Sequence, residues 1–272
     1  MKTFGLLFLL AGVAAFCQDA QPDRATVPFS DPSRPKSLHA SLINGGITVK
    51  GYDGKDAIVE ARQQGDSGRR GRRAERSDGM RRIDIGGSGL VVEESDNVIT
   101  VGTRAINDSI ELTIQVPFNT SLKLHAVNGG DIVVDHIIGD VEINNTNGNA
   151  TATHISGAAV VHALNGKVLV SLDKVTADKP MSFSSLNGDI DVTLPADVKA
   201  RAKLKTDNGA VYSDFEVAVD SSSRQPVVQD NKSGKGRYRV QFDRAMYALI
   251  NGGGPEIQFT TFNGNIYLRK AR

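Results

Sequence analysis

Residues 161–170 read Val161-His162-Ala163-Leu164-Asn165-Gly166-Lys167-Val168-Leu169-Val170, and residues 183–192 read Phe183-Ser184-Ser185-Leu186-Asn187-Gly188-Asp189-Ile190-Asp191-Val192. The two stretches share one pattern. Small or apolar residues stand two and four places before the asparagine, and apolar residues stand three and five places after it. Successive side chains of a strand point to opposite faces, so each copy reads as two short strands with one buried face, joined by a glycine corner.

The Asn-Gly pair occurs eight times, at Asn44, Asn128, Asn147, Asn165, Asn187, Asn208, Asn251 and Asn263, which is half of the sixteen asparagines. A glycine content near 10% would give about one or two such pairs by chance, so the recurrence is a repeat. From Asn128 to Asn208 the steps are 19, 18, 22 and 21 residues. The flanks recur as well: Leu124 and Ala126 stand before Asn128, Leu204 and Thr206 before Asn208, Phe259 and Thr261 before Asn263, and Ile47 and Val49 follow Asn44. Weaker turns, Ile138-Gly139-Asp140 and Ile155-Ser156-Gly157, fall about halfway along each period.

Two folds fit this period: an antiparallel meander with Asn-Gly hairpin turns, and a β-solenoid in which equivalent strands pair in parallel and equivalent corners stack. The shared parity of the asparagines favours the second. It predicts an all-β, single-stranded parallel β-helix or β-solenoid of about 20-residue coils with stacked Asn-Gly corners. Asn128, Asn147, Asn165, Asn187 and Asn208 share parity with the buried set upstream, so they are expected to point inward and bond to one another as an amide ladder. A buried amide without a partner costs roughly 1–3 kcal/mol, so such a row is tolerable only if each member satisfies the next. The glycine is expected to supply the positive φ of the corner.

Met1 to Cys17 carries Lys2, an apolar run from Phe4 to Phe16 and a polar continuation, which reads as a signal peptide over 1–17. Export to the periplasm, cell surface or exterior follows. Release after Cys17 is preferred to lipid anchoring through Cys17, because Phe16 is a poor residue before a lipidated cysteine. Residues 18–36, with Pro22, Pro28, Pro32 and Pro35, read as an N-terminal linker. Residues 37–272 then form a single elongated solenoid with loop insertions at 63–82 and 218–236, and the mature chain holds no run long enough to span a membrane. Cys17 is the only cysteine, so no internal disulfide is available.

Charge is nearly balanced, 32 Lys+Arg against 31 Asp+Glu, so nothing global attracts nucleic acid and no such partner is expected. Local candidates are few. Arg69, Arg70, Arg72 and Arg73 lie in a run of seven arginines that could contact anionic glycans or phosphates, though no interleaved aromatic residue supports base or sugar stacking. The five histidines lack metal-motif spacing, and no metal or cofactor is expected. Asp131, Asp189 and Asp191 read as surface acids. Asp140 with Glu142, or Asp189 with Asp191, share a strand face, which is the most that supports a carboxylate-based polysaccharide-active enzyme. No nucleophile elbow, phosphate loop or cysteine nucleophile is present, and no enzyme is expected.

The strand ends Val116-Pro117 and Leu194-Pro195, each followed by an alternating strand and then by Asn128-Gly129-Gly130-Asp131-Ile132 or Asn208-Gly209-Ala210-Val211, resemble the bacterial exported "putative adhesin" domains of unknown function. The resemblance implies a β-solenoid head of surface or envelope proteins and carries no catalytic residues. The reading is a non-catalytic adhesin or cell-envelope interaction scaffold whose partner is a surface glycan or envelope protein. The alternatives are the β-helix enzyme and an envelope accessory or sensor protein.

Overall fold

The computed structural model describes residues 22–64, 88–104, 108–176, 179–219, 226–231, 237–242 and 245–272, and every element of secondary structure in them is a strand. The N-terminal part gives β1 (Asp23–Pro28), β2 (Lys36–Asn44), β3 (Ile47–Tyr52), β4 (Asp56–Gln63), β5 (Leu90–Ser95), β6 (Val98–Thr103) and β7 (Ile110–Pro117). The repeat gives β8 (Thr120–Asn128), β9 (Ile132–Ile137), β10 (Val141–Asn147), β11 (Ala150–Gly157), β12 (Ala159–Asn165), β13 (Val168–Val175), β14 (Met181–Asn187) and β15 (Ile190–Leu194). The C-terminal part gives β16 (Ala200–Asn208), β17 (Val211–Ser213), β18 (Val217–Val219), β19 (Pro226–Asn231), β20 (Arg237–Phe242), β21 (Met246–Ile250), β22 (Glu256–Asn263) and β23 (Ile266–Lys270).

In the repeat, the strand before each Asn-Gly corner joins one sheet and the strand after it joins the other. β8, β10, β12 and β14 are parallel neighbours in the first sheet, and β9, β11, β13 and β15 in the second. The corners are in register, with Asn147 opposite Asn165 and Asn165 opposite Asn187. The chain therefore coils between two sheets in a solenoid-like stack. Parallel pairing excludes the meander, because hairpin turns join antiparallel strands.

Inward residues align in columns along the stack. Val49, Val134, Ala152, Val170, Val192 and Leu268 form one such column in the second sheet, each at most 2% exposed. In the first sheet the rings of Phe183 and Phe259 meet with centroids 5.3 Å apart. Burying one such side chain stabilises the fold by about 1.5–3 kcal/mol, and the two inner faces share one core.

Rung order departs from chain order at both ends. The first sheet runs β18-β21-β16-β22-β14-β12-β10-β8-β2-β6-β5 and the second β1-β4-β7-β3-β9-β11-β13-β15-β23-β17. The last rung of the chain, β22 with β23, is thus inserted between β14/β15 and β16/β17. At the other end, β2 with β3 lies inside β6 with β7. The simple parallel coil gives way there to antiparallel strands: β4 and β1 continue the second sheet, and β5, β21 and β18 the first. These strands cover the rungs that a purely parallel stack would leave open to pairing with another chain.

Two expectations are corrected by these strands. The stretch expected as a linker supplies β1, paired with β4 from Asp23 to Pro28, and Lys36 already belongs to β2. The insertion at 218–236 contains β19, which pairs with β20 as an antiparallel two-stranded sheet. The signal segment 1–17 and most of the insertion at 63–82 lie outside the described residues.

Candidate interaction surface

At each corner the chain must leave one sheet for the other while the next rung lies within backbone contact. A Cβ on Gly148, Gly166 or Gly188 would stand 2.1 Å from the carbonyl oxygen of the corner glycine below, namely Gly130, Gly148 or Gly166. Positive φ is found as expected at Gly45, Gly129, Gly148, Gly252 and Gly264, whereas Gly166, Gly188 and Gly209 lack it and are required there by the close approach of the adjoining rung alone.

The inward polar position is also displaced from the expected one. Two residues before the corner asparagine, buried Asn145, Ser185 and Thr261 and half-buried Thr206 donate to the carbonyl oxygens of Gly130, Gly166, Gly188 and Gly264 at 2.9–3.0 Å. The side chain that faces inward beside the corner therefore bonds to the glycine carbonyl of the adjoining rung.

The asparagines themselves hydrogen-bond in series with one polarity. The Nδ2 of Asn208 donates to Oδ1 of Asn263 at 2.8 Å, Asn263 to Asn187 at 2.7 Å, Asn187 to Asn165 at 2.8 Å, Asn165 to Asn147 at 2.9 Å and Asn147 to Asn128 at 3.1 Å. Asn44 stands in register with Asn128. Their burial contradicts the inward expectation: Asn128, Asn147, Asn165, Asn187, Asn208 and Asn263 are all exposed. The alternation ends two residues earlier, because the turning chain swings the asparagine out to the rim.

A second rim row follows two or three residues later. The backbone N–H of Asn149 donates to Asp131 Oδ1, that of Lys167 to Asn149 Oδ1, that of Asn265 to Asp189 Oδ1, and that of Ala210 to Asn265 Oδ1. Asp131 and Asp189 therefore bond rung to rung. Sequence reading took them for solvated acids, although their shared place after the corner was the available signal.

Immediately before each asparagine of the ladder lies an outward residue. In stacking order these are Ile43, Val127, Thr146, Leu164, Leu186, Phe262 and Asp207. Five of the seven are apolar. Ile43, Leu186 and Phe262 are 47%, 41% and 46% exposed, and Val127 and Leu164 are half-buried. With strands about 4.8 Å apart, the seven positions run along roughly 29 Å of rim. Sequence reading missed this ridge because each member, taken alone, is an unremarked outward residue.

The carboxylates considered for catalysis are engaged in pairs. Asp140 accepts from Lys179 Nζ at 2.7 Å, Glu142 lies 3.3 Å from Lys123, and Asp191 accepts from Arg269 Nε at 2.7 and 2.9 Å. Tyr212 and Tyr267 stack beside that last pair, with centroids 5.1 Å apart. Arg69, Arg70, Arg72 and Arg73 lie outside the described residues.

One cluster brings together histidines that the sequence reading left apart. His136 on β9 and His154 on β11 have left-handed backbones, φ 56° and 54°, and their rings stack at 4.3 Å. Their Nδ1 atoms lie 2.9 and 3.0 Å from the Asp135 carboxylate, to which Thr153 Oγ1 also donates at 2.9 Å. Burial pushes the Asp135 carboxyl up, but the hydrogen bonds from His154, His136 and Thr153 outweigh it and hold it at about 2. The bond to Asp135 raises the His154 imidazole above its ordinary value.

The fold and rim together define an all-β protein of stacked parallel rungs with an apolar ridge along one side. Residues 121–244, just under half of the chain, match the family described as Toastrack DUF4097, in keeping with the resemblance carried by the Asn-Gly motifs. The rung β22/β23 lies beyond the matched residues yet stacks in the same register. Two solved structures are similar. One is "a putative cell adhesion protein" from Clostridium sporogenes ATCC 15579, 13% identical, TM-score 0.44, covering 92% of this chain and 100% of the other. The second is "a putative adhesin" from Bacteroides fragilis NCTC 9343, 11% identical, TM-score 0.33, covering 93% and 98%. No curated protein matches the sequence.

Proposed function

We propose that the chain is an exported, non-catalytic β-solenoid of one elongated domain that acts as an adhesin or cell-envelope interaction scaffold, with the corner ridge as its contact surface. One observation carries the reading: Ile43, Val127, Leu164, Leu186 and Phe262 stand in line on the rim, outside a core that is already filled. A lined-up apolar strip on a protein surface marks a site that another molecule covers. The rim beneath it is fixed by the amide ladder and glycine corners, so binding costs little ordering. Repetition along the stack lets many weak contacts add. Export rests on the apolar segment after Lys2, with release or anchoring at Cys17 left to the cell's processing. The pairing of Asp140, Glu142 and Asp191 with basic side chains supports a structural role for them over acid-base catalysis.

The test is capture of envelope proteins and display on a glycan array, each with the natural chain and with Leu186→Asp/Phe262→Asp. Stoichiometric binding lost in the double variant, with the melt retained, is the expected result. Binding unaltered by the two aspartates would remove the ridge from the account. Release of products from an acidic polysaccharide, abolished by Asp191→Asn, would establish the enzyme instead.

A further inference from the structure

Three side chains outside the ridge converge at the far bends of two adjacent rungs. We propose that Asp135, His136 and His154 form a site for a divalent transition-metal ion of the zinc, nickel or copper type, completed by water.

One ligand atom from each residue lies within 4.8 Å of the other two. The donors are one carboxylate and two imidazoles, a set that suits these ions better than magnesium or calcium, which take oxygen ligands. Three protein ligands with an open fourth position is a known arrangement for zinc. Bonds of about 2.0–2.1 Å in a tetrahedron put ligand atoms roughly 3.3 Å apart. Nδ1 of His136 lies 2.9 Å from Oδ2 of Asp135 and Nδ1 of His154 lies 3.0 Å from Oδ1, so each imidazole already stands near that distance from one carboxylate oxygen. The remaining adjustment is to bring the two imidazole nitrogens together around one of those oxygens. Both rings are about half exposed, 55% and 53%, which leaves them room to turn.

Backbone geometry supports the same reading. Left-handed φ is uncommon for a residue other than glycine, and such conformations gather at functional positions. Here it occurs at the same place on two neighbouring rungs, and both times the residue is histidine. On the next strand, β13, Ser171 is followed directly by Leu172, which pairs with Ile155, so the extra residue of the bulge is gone. The bulge and the histidine thus appear together.

The neighbours fit as supports or opponents. Thr153 Oγ1 holds the Asp135 carboxylate, as partners of metal ligands do. Asp173 adds negative charge near His154. Lys50, exposed on β3 in register with Asp135, puts a positive charge on the adjoining strand that would disfavour a bound cation.

The test is calorimetric titration of the chelator-treated, tag-free chain with zinc chloride, beside Asp135→Asn, His136→Gly and His154→Gly. Glycine is chosen because it accepts the positive φ, so the variants fold. One equivalent of zinc is expected, weakened at least about tenfold in each variant and tightened in Lys50→Ala. In the natural chain, zinc should shift the ring nitrogen signals of His136 and His154 and leave those of His39, His125 and His162 unmoved. Absence of stoichiometric binding, or binding that survives both glycine substitutions, would overturn the proposal.

Discussion

Asn165 both donates to Asn147 and accepts from Asn187, but it does so on the exposed rim, where water can replace either bond. Asn165→Ala should therefore cost about 0.5–1.5 kcal/mol, as for an ordinary hydrogen bond, and not the larger cost of orphaning a buried amide. Urea unfolding of the single variant measures it. The corner glycines separate two causes. Gly188→Ala puts a methyl 2.1 Å from the Gly166 carbonyl oxygen with no φ penalty, whereas Gly129→Ala meets nothing within 4 Å but must hold φ near 79°. The first should cost more than about 3 kcal/mol, as severe overpacking does, and the second about 1 kcal/mol. Equal costs would show that dihedral strain, and not the adjoining rung, fixes the glycine. At this scale the amide ladder was legible from parity and period, but its side of the sheet was not. Alternation assumes an extended chain, and the chain has begun to turn by the time it reaches the asparagine. The hydroxyls of Ser185, Thr206 and Thr261 at a shared place before the corner were the visible hint that the inward slot lay there.

Strands were legible where the period held, because buried residues two apart on either side of each corner leave few other readings. The elements at the ends were harder. β1 comes from a proline-rich stretch whose alternation is weak, and it is held by pairing with β4 and by a contact that no pattern announces: Asp23 Oδ2 accepts from the backbone N–H and Oγ of Ser88 at 2.8 and 2.6 Å. These two bonds lower the Asp23 carboxyl below its ordinary value. A carboxyl lowered on folding stabilises the native state above its unfolded value and loses that contribution as pH falls through the folded one. Asp23 is exposed, so solvent screens these bonds, and Asp23→Asn should cost no more than about 0.5 kcal/mol near neutrality, with the two melting curves converging as pH drops below about 4. A difference that persists at pH 2 would contradict this assignment. The histidine cluster was recoverable from spacing, since His136 and His154 are 18 residues apart, the same step as Asn147 to Asn165. Motif templates written for helices pass over a pair joined only by the stacking of rungs.

Over the whole molecule, the order of the rungs was the least legible feature. Each rung carries the same alternation, and nothing in Glu256–Asn263 says whether it caps the stack or enters it. Entry is favoured where it buries both faces of the rung: Phe259 lies between Phe183 and Leu204 in register, and Asn263 bridges Asn187 and Asn208. The continuity of the ridge from Leu186 to Phe262, and with it the proposed contact surface, depends on this insertion. Adjacent strands lie about 4.8 Å apart, inside the 4.4–6.8 Å that disulfides span between Cα atoms, while strands two apart lie at about 9.6 Å and beyond reach. The direct measurement is disulfide formation on oxidation in a Cys17→Ser chain carrying either Leu186→Cys/Phe262→Cys or Leu186→Cys/Asp207→Cys. The first pair is predicted to cross-link in the folded state and the second to remain reduced; the reverse would mean that the rungs stack in chain order and that the ridge is broken where Phe262 is placed.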